Sequence, residues 1–373
     1  MNEINIEESF LNFFEDIEDP RSGDNTRYSV SEILLVTLCA IIAGAESWRD
    51  LVDYGKIKLK FLRQYFPYTY GIPSKNTFYR FFAALKPNSF KSCFISWVQS
   101  LKLVENEIIA IDGKTLRRSH DKGKEQAAIH MVSAFAAKTG IVLGQEKVNN
   151  KSNEITAIPK LLDLLDINGS IVTIDAMGTQ KKIAKQIIDN GGNYILALKG
   201  NHSILHEEVA EFLQENKNQP YCKQVQDVDC GHGRIETRNC IATEEIDWLG
   251  KLKFPGQESI FCVESTREIN HKITTESRYY ISSLEANPTK LNSATRSHWS
   301  VENCLHWVLD VNFNEDNSRI RLNNAAENMA MVRHSVLNLL KLAKPKFKKD
   351  TSLKGLRKMA GWDNSVLSTI LNQ

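Results

Sequence analysis

The run Glu107-Ile108-Ile109-Ala110-Ile111-Asp112-Gly113-Lys114 decides how this chain is read, together with its echo Ser170-Ile171-Val172-Thr173-Ile174-Asp175-Ala176. Each is a short apolar stretch rich in β-branched residues, ending in one carboxylate and then a small residue. Such runs, bounded by turn formers, are the pattern of buried strands. Each is expected to present its Asp at a sheet edge. A strand-end Asp on its own is often a cap or turn former. Two such strands separated by a hairpin and a helix mean more, because in a sheet of that order they can lie side by side.

Working outward, strands are expected at His130–Ala136 and Ile141–Lys147, with a turn at Lys138-Thr139-Gly140. A helix over Glu154–Leu165, the Asp175 strand, a helix over Gln180–Asn190 and a strand over Tyr194–Leu198 follow. That order predicts an α/β fold with a mixed sheet and flanking helices. Candidate strands Arg238–Ala242, Ser259–Glu264 and Arg278–Ser282 form a β-rich insertion, about 218–287. From Leu291 the pattern is helical to near Ala343. The catalytic unit is thus placed at 104–345, with a basic C-terminal tail at 346–373.

Residues 1–103 read as an all-helical N-terminal domain. Ser29 and Glu32 form a capping box before the apolar run from Ile33. A second helix starts after Pro73 with Ser74 as N-cap, and Phe78, Phe81, Phe82 and Leu85 recur at i, i+3, i+4 and i+7. Lys75, Asn76, Thr77 and Arg80 lie near its start. They form either the reading face of a recognition helix or the polar first turn of a surface helix.

Composition bounds the class. The 373 residues are 42% hydrophobic and 25% charged with a net charge of +2, as in an ordinary globular protein. Basic runs stand at Lys341–Lys358 and at Lys114, Arg117, Arg118, Lys122 and Lys124, which suit either nucleic acid or a solvated face. Seven cysteines with no CxxC pair, and no secretory signal, predict reduced thiols in the cytoplasm and no structural zinc. The most apolar run, Ile33–Gly44, is too short to span a bilayer, so no membrane partner is expected.

The third acid of interest is Glu302, in Arg296-Ser297-His298-Trp299-Ser300-Val301-Glu302-Asn303. Two strand-end aspartates and a helix-borne glutamate make an all-oxygen donor set for two Mg²⁺ ions, suited to phosphodiester chemistry. Rivals are close by. His298 and His306 flank Glu302 at i−4 and i+4, a spacing a transition metal also uses, although the order H-E-x-x-H is absent. Asp310, Glu315 and Asp316 are competing carboxylates. In His232-Gly233-Arg234-Ile235-Glu236-Thr237-Arg238, Arg234 and Arg238 share a strand face. They either grip phosphates or are neutralised by Glu236. Trp299 and Trp307 either stack on an unpaired base or fill a core.

Five ordered motifs carry a resemblance: Asp112-Gly113-Lys114; Asp175-Ala176-Met177-Gly178-Thr179-Gln180; Leu198-Lys199-Gly200-Asn201; the hairpin His232–Arg238; and His298–Trp307. Together they resemble the ISAs-type insertion-sequence transposases of the DDE superfamily, which include the H-repeat-associated proteins of Rhs elements. Asp19-Pro20-Arg21 and Gly44–Trp48 resemble that family's N-terminal associated domain.

The resemblance implies a ribonuclease H-like fold, with Asp112, Asp175 and Glu302 as catalytic acids and metal ligands for two Mg²⁺ ions, Mn²⁺ substituting. It implies cleavage at element ends and strand transfer, double-stranded DNA as partner (terminal inverted repeats and target), a dimer in the synaptic complex, and a bacterial, nucleoid-associated location. A tyrosine-arginine-glutamate-lysine signature usual around this glutamate is replaced by Thr295, His298 and Leu309 at the other three positions, and His306 is a candidate phosphate contact in place of the lysine. Expected DNA contacts are Lys75, Asn76, Thr77 and Arg80 for sequence; Lys114, Arg117, Lys199, Arg234 and Arg238 for phosphates; and His298, Trp299 and His306 near the cut. Alternatives are a nuclease of the same fold that does not join ends, told apart by strand transfer, and an inactive or domesticated DNA-binding H-repeat-type protein.

Overall fold

In the computed structural model, which describes residues 10–15, 17–21, 26–101, 106–120, 127–148, 153–231 and 233–373, the run through Asp112 forms β1 (Ile108–Thr115). β1 pairs antiparallel with β2 (His130–Ala136), and β2 with β3 (Ile141–Lys147). On its other side β1 runs parallel to β4 (Ile171–Ile174), and β4 parallel to β5 (Asn193–Leu198). β2 and β3 have the bounds the sequence predicts. Parallel strands are covered on both faces, which is why β1 and β4 are nearly continuous in apolar residues.

The β-rich segment is not a separate unit. It forms β6 (Lys223–Gly231), β7 (Arg234–Thr243), β8 (Ser259–Ile269) and β9 (Lys272–Ser282). β9 pairs antiparallel with β5, so one nine-stranded mixed sheet runs β3-β2-β1-β4-β5-β9-β8-β7-β6. β6 escapes sequence reading because it is an exposed, polar edge strand, the usual guard against edge-to-edge pairing. Gly233, at φ 74°, supplies the left-handed turn into β7, while His232 of the same motif lies outside the described residues.

Twelve α-helices flank the sheet among the described residues. α1 (Val30–Ile42) opens on the expected capping box: the Glu32 amide donates to Ser29 Oγ at 3.1 Å, and the Ser29 amide to Glu32 Oε2 at 2.9 Å. α2 (Trp48–Leu62), α3 (Lys75–Ala84) and α4 (Pro87–Ser100) follow, and Phe78, Phe81, Phe82 and Leu85 are all buried as their spacing predicts. Next come α5 (Glu154–Leu162), α6 (Lys181–Asp189), α7 (Ser203–Asn216), α8 (Pro288–His298), α9 (Trp307–Phe313) and α10 (Ala325–Ala343). The N-terminal helices share one apolar cluster with α10 and the sheet. Asn328 of α10 donates to the carbonyls of Phe82 and Leu85, both at 2.9 Å, locking α3 onto it.

The expected basic tail is helical instead: α11 (Leu353–Trp362) and α12 (Asn364–Leu371) pack on α10, and α11 also on α1. Leu356, Ala360, Leu367 and Ile370 are fully buried at helical spacing, a pattern that lysines hide in α11. One counted basic residue turns inward: Arg357 donates to the Ile41 carbonyl at 2.7 Å and stacks 4.1 Å from the Phe313 ring centre. We predict that Leu367→Ala lowers unfolding free energy by about 2–5 kcal/mol, read by denaturant titration. A loosely attached tail would leave the main transition unmoved.

Candidate active site

The β1–β4 ladder ends at the pair Ile111↔Ile174, one residue before Asp112 and Asp175. Adjacent strands lie about 4.8 Å apart, so the two aspartates leave the ladder side by side. β1 continues to Thr115 against β2, so Asp112 stands where β4 departs and not at the strand's own end. Alternation puts Asp112 on the side of Ile108, and Asp175 on the side of Ile171 and Thr173. Ile108 and Ile171 pack with Leu291 and Ala294 of α8, so both carboxylates face the α8 side of the sheet.

Asp175 acts as a cap. Its Oδ1 accepts from the amides of Met177 (3.1 Å) and Gly178 (3.3 Å), capping the short 3₁₀ turn Ala176–Gly178, and this cap orients the carboxylate. The neighbouring loop is tied to that turn, since Asn201 donates to the Ala176 carbonyl and His202 Nε2 lies 2.6 Å from the Thr179 carbonyl. Lys199 is thereby held exposed beside Asp175.

Asp112 has a neighbour that sequence reading missed. Glu154, at the start of α5, lies 2.6 Å from His130 Nε2, and the pair sits on the backbone of Gly113. A Cβ at Gly113 would meet Glu154 Oε1 at 2.1 Å, which explains the small residue after Asp112. Burial pushes the Asp112 carboxyl up to about 7, and the charges of Asp175, Glu154 and Glu302 push the same way against the Gly113 amide. Asp175 is also raised, first by burial and then by Glu154. Four carboxylates thus feel one another at this spot.

Glu302 arrives by an irregular route. His298, the last residue of α8, has its Nδ1 2.9 Å from Thr173 Oγ1, pinning the helix to β4. From Glu302 to His306 the helix widens to a π turn, with the Trp307 amide bonding to the Glu302 carbonyl five residues back. Glu302 is exposed, whereas His306 is buried with Nδ1 3.5 Å from Asp112 Oδ2. The rival His298–Glu302–His306 metal face therefore does not form among the described residues. Burial depresses both imidazoles to about 4, so they are neutral at physiological pH and unsuited to gripping phosphate. Leu309 is buried in the core, while Thr295, also buried, lines the pocket beside Asp175 and the cleft beside Glu302.

The rival acids are accounted for. Lys114 Nζ contacts Asp310, Glu315 (3.0 Å) and Asp316 (3.7 Å), and Arg333 reaches Glu315 at 3.5 Å. Lys114 is thus spent on internal ion pairs, not held out for phosphate as expected. Arg117 remains largely exposed, 3.2 Å from Asp316. On α3, Lys75, Asn76 and Arg80 are exposed, while the Thr77 hydroxyl lies 3.0 Å from Ser74 Oγ. Lys122 and Lys124 lie outside the described residues.

The arginine hairpin faces Glu302. A cleft of about 550 Å³ is lined by Arg234, Arg238, Arg267 and Arg278 of the long strands, with Trp299 and Glu302 opposite. Glu236, buried on the same strand face, bonds Arg238 at 2.8 Å and Arg267 at 3.3 Å, with Arg234 at 3.8 Å. The pairing with Glu236 is present, and one carboxylate against three guanidiniums leaves excess positive charge. Burial alone would raise Glu236, but Arg238 and Arg267 hold it below the usual range. Trp299 is 42% exposed with the Arg278 guanidinium 4.5 Å from its ring centre, so it lines the cleft and does not fill a core. Trp307 is likewise exposed.

Among the described residues no three His, Cys, Asp or Glu side chains converge into a ready-made metal cage. The donor chemistry still fits Mg²⁺ or Mn²⁺ and not zinc, since the unpaired donors at this edge are carboxylate oxygens. Their mutual repulsion is what a divalent cation relieves.

A family model described as Transposase DDE domain matches residues 105–339, and one described as DDE_Tnp_1-associated matches residues 11–98. The chain belongs to the DDE transposase family. It is 42% identical over 352 residues to "Putative transposase YncI" of Escherichia coli O157:H7, covering 90% of this chain and 87% of that one. It is 40% identical over 365 residues to "H repeat-associated putative transposase YhhI" of E. coli K12, covering 95% of each. A shorter match, 44% over 62 residues, is to "Inactive transposase YbfQ" of the same strain, covering 17% of this chain and 74% of that one.

This transposase-family site has a pH signature. In the metal-free fold Asp112 keeps its proton to about 7, against about 3.9 in the unfolded chain. Between those values the folded state binds more protons, so the stability tied to Asp112 is full below pH 4 and is lost as pH rises to 7. We predict that in EDTA at pH 8 Asp112→Asn is more stable than the wild type by roughly 1–3 kcal/mol. The gap should close near pH 4, as read by thermal melts across pH.

Proposed function

We propose that this protein is a DNA transposase of an insertion sequence, performing metal-dependent cleavage at element ends and strand transfer into target DNA. The observation that carries the reading is the side-by-side emergence of Asp112 and Asp175 at one sheet edge, with the charge of Glu302 acting on Asp112, while the nearby rival acids are paired with Lys114, Arg117 and Arg333. The strand order β3-β2-β1-β4-β5, with β1, β4 and β5 parallel, supports a ribonuclease H-like core.

In this reading Asp112, Asp175 and Glu302 would hold two Mg²⁺ ions. Bound there, the ions lower the pKa of the attacking water or 3′-hydroxyl and stabilise the leaving oxygen. The protein's share is positional. The cap on Asp175 and the contact of His306 with Asp112 fix the two carboxylates. Arg234, Arg238, Arg267 and Arg278 hold the backbone phosphates of the strand entering beside Glu302, and Lys199 holds a phosphate beside Asp175. Trp299 offers a stacking surface for an unpaired base. Lys75, Asn76 and Arg80 of α3 read the inverted repeat, and two protomers bring the two ends together.

The test is a cleavage and joining assay with the full chain, an end duplex and a target duplex. Mg²⁺ or Mn²⁺ should support cutting and joining, and Ca²⁺ end binding alone. Asp112→Asn, Asp175→Asn and Glu302→Gln should each cut more than about 100-fold more slowly, since even outer partners of metal ligands cost 10–100-fold. Loss with Asp310→Asn and none with Glu302→Gln would refute the third acid. Cutting without transfer of the 3′ end would leave a nuclease. Arg238→Ala should weaken cognate and scrambled duplex alike and flatten the salt dependence by roughly one unit of slope. Arg80→Ala should instead erode the preference between them.

A further inference from the structure

The turn that carries Glu302 is held from outside the site. A π turn holds one residue more than the regular helix and is found mostly at functional sites. Within this turn the Cys304 carbonyl accepts from Lys341 Nζ at 3.1 Å. Lys341 stands near the end of α10. The same ammonium bonds to the Gly140 carbonyl in the β2–β3 turn and lies 4.5 Å from the centre of the Phe135 ring. No carboxylate among the described residues pairs with it, and burial lowers it to about 8. Desolvating a cation without a counter-charge is costly, and two carbonyls from two separate elements are what this one obtains. Its geometry is that of a clamp between the sheet and the π turn. The far end of the turn is fixed as well, by His306 against Asp112.

We propose that Lys341 is a positioning residue which, by holding the Cys304 carbonyl, keeps the π turn open and so sets where Glu302 stands over Asp112 and Asp175. The inference rests on the reading of Glu302 as an acid of the site. Without the clamp the turn closes to α geometry. Dropping one residue from the spiral swings Glu302 by about 100° relative to α9, whose Val308, Leu309 and Phe313 are anchored in the core.

The test measures Mn²⁺ binding to the DNA-free full chain by calorimetry, beside end cleavage, Ca²⁺-supported end binding and thermal melting. Lys341→Met should bind Mn²⁺ about 10–100-fold more weakly and cleave correspondingly slowly, with end binding intact. Lys341→Arg should recover most of the affinity. Glu302→Gln should weaken Mn²⁺ binding too, and the double variant Lys341→Met with Glu302→Gln should be no weaker than Glu302→Gln alone, because the two act through one group. A folded Lys341→Met with wild-type Mn²⁺ affinity overturns the proposal. Should Lys341→Met not fold, the same criterion applies to Lys341→Gln, which keeps a donor but shortens the reach. If Glu302→Gln itself leaves Mn²⁺ affinity unchanged, the reading of Glu302 fails, and this inference with it.

Discussion

The parallel pairing of β1 with β4 is the constraint on which the site depends. Its register, Ile111↔Ile174, leaves Asp112 and Asp175 no choice but to emerge together. Burial, and after it the like charges of Asp175, Glu154 and Glu302, raises Asp112 from near 4 to about 7, which amounts to roughly 4 kcal/mol at about 1.4 kcal/mol per unit. Ile109, Ile111, Val172 and Ile174, each at most 3% exposed, contribute about 1.5–3 kcal/mol apiece. The apolar register therefore outweighs the cost of burying these charges together, and the fold holds the two acids in a state that a cation, or a proton, relieves.

The same electrostatics separates this group from its rivals. Asp310, Glu315 and Asp316 lie close in sequence to Glu302, yet each contacts Lys114, and Glu315 and Asp316 find Arg333 and Arg117 besides. Among the described residues no lysine or arginine forms an ion pair with Asp112, Asp175 or Glu302. The paired acids are structural and the unpaired ones are left for something else. Proximity along the chain is a poor guide to that distinction, because Lys114 comes from β1 and the acids it neutralises from α9 and the turn beyond.

Much of the fold was legible because it follows from local periodicity. The strands around the two aspartates, the capping box at Ser29 and the aromatic stripe of α3 all declare themselves within a few residues. What stayed hidden depends on long-range partners. β6 has no apolar pattern because it is an edge. α7 and α12 went unread, and α11 was masked by its lysines. The π turn displaces His306 relative to Glu302, His298 is held by Thr173 of β4, and helical spacing assumed in advance cannot show an inserted residue. Glu154 and Lys341 act on residues tens to hundreds of positions away, through a glycine backbone and a carbonyl. Arg267 becomes meaningful only once β7–β8 pairing sets it directly opposite Glu236.

Continuity of the sheet gives the cleft its shape. β9 joins the long strands to the core through β5, and the last paired residues are Leu198↔Tyr279. Lys199 and Arg278 stand one step beyond that pair, as Asp112 and Asp175 stand one step beyond theirs. Crossing the sheet edge from β1 to β9, the projecting groups therefore change from two carboxylates to Lys199 and Arg278, the latter paired with Glu276 at 2.8 Å, and the arginines of β7 and β8 continue the basic side. Arg296 on α8, bonded to Asp227 at 3.2 Å and to Asp229, ties the helix that leads to Glu302 to the outermost strand. Acids and bases are thus mounted on one hydrogen-bonded scaffold, not on two units free to move apart. A polyanionic strand laid along that edge meets attraction on one side and, until a cation fills the acidic end, repulsion on the other, so charge alone favours placing its phosphates on the arginines and directing a phosphodiester toward the carboxylates.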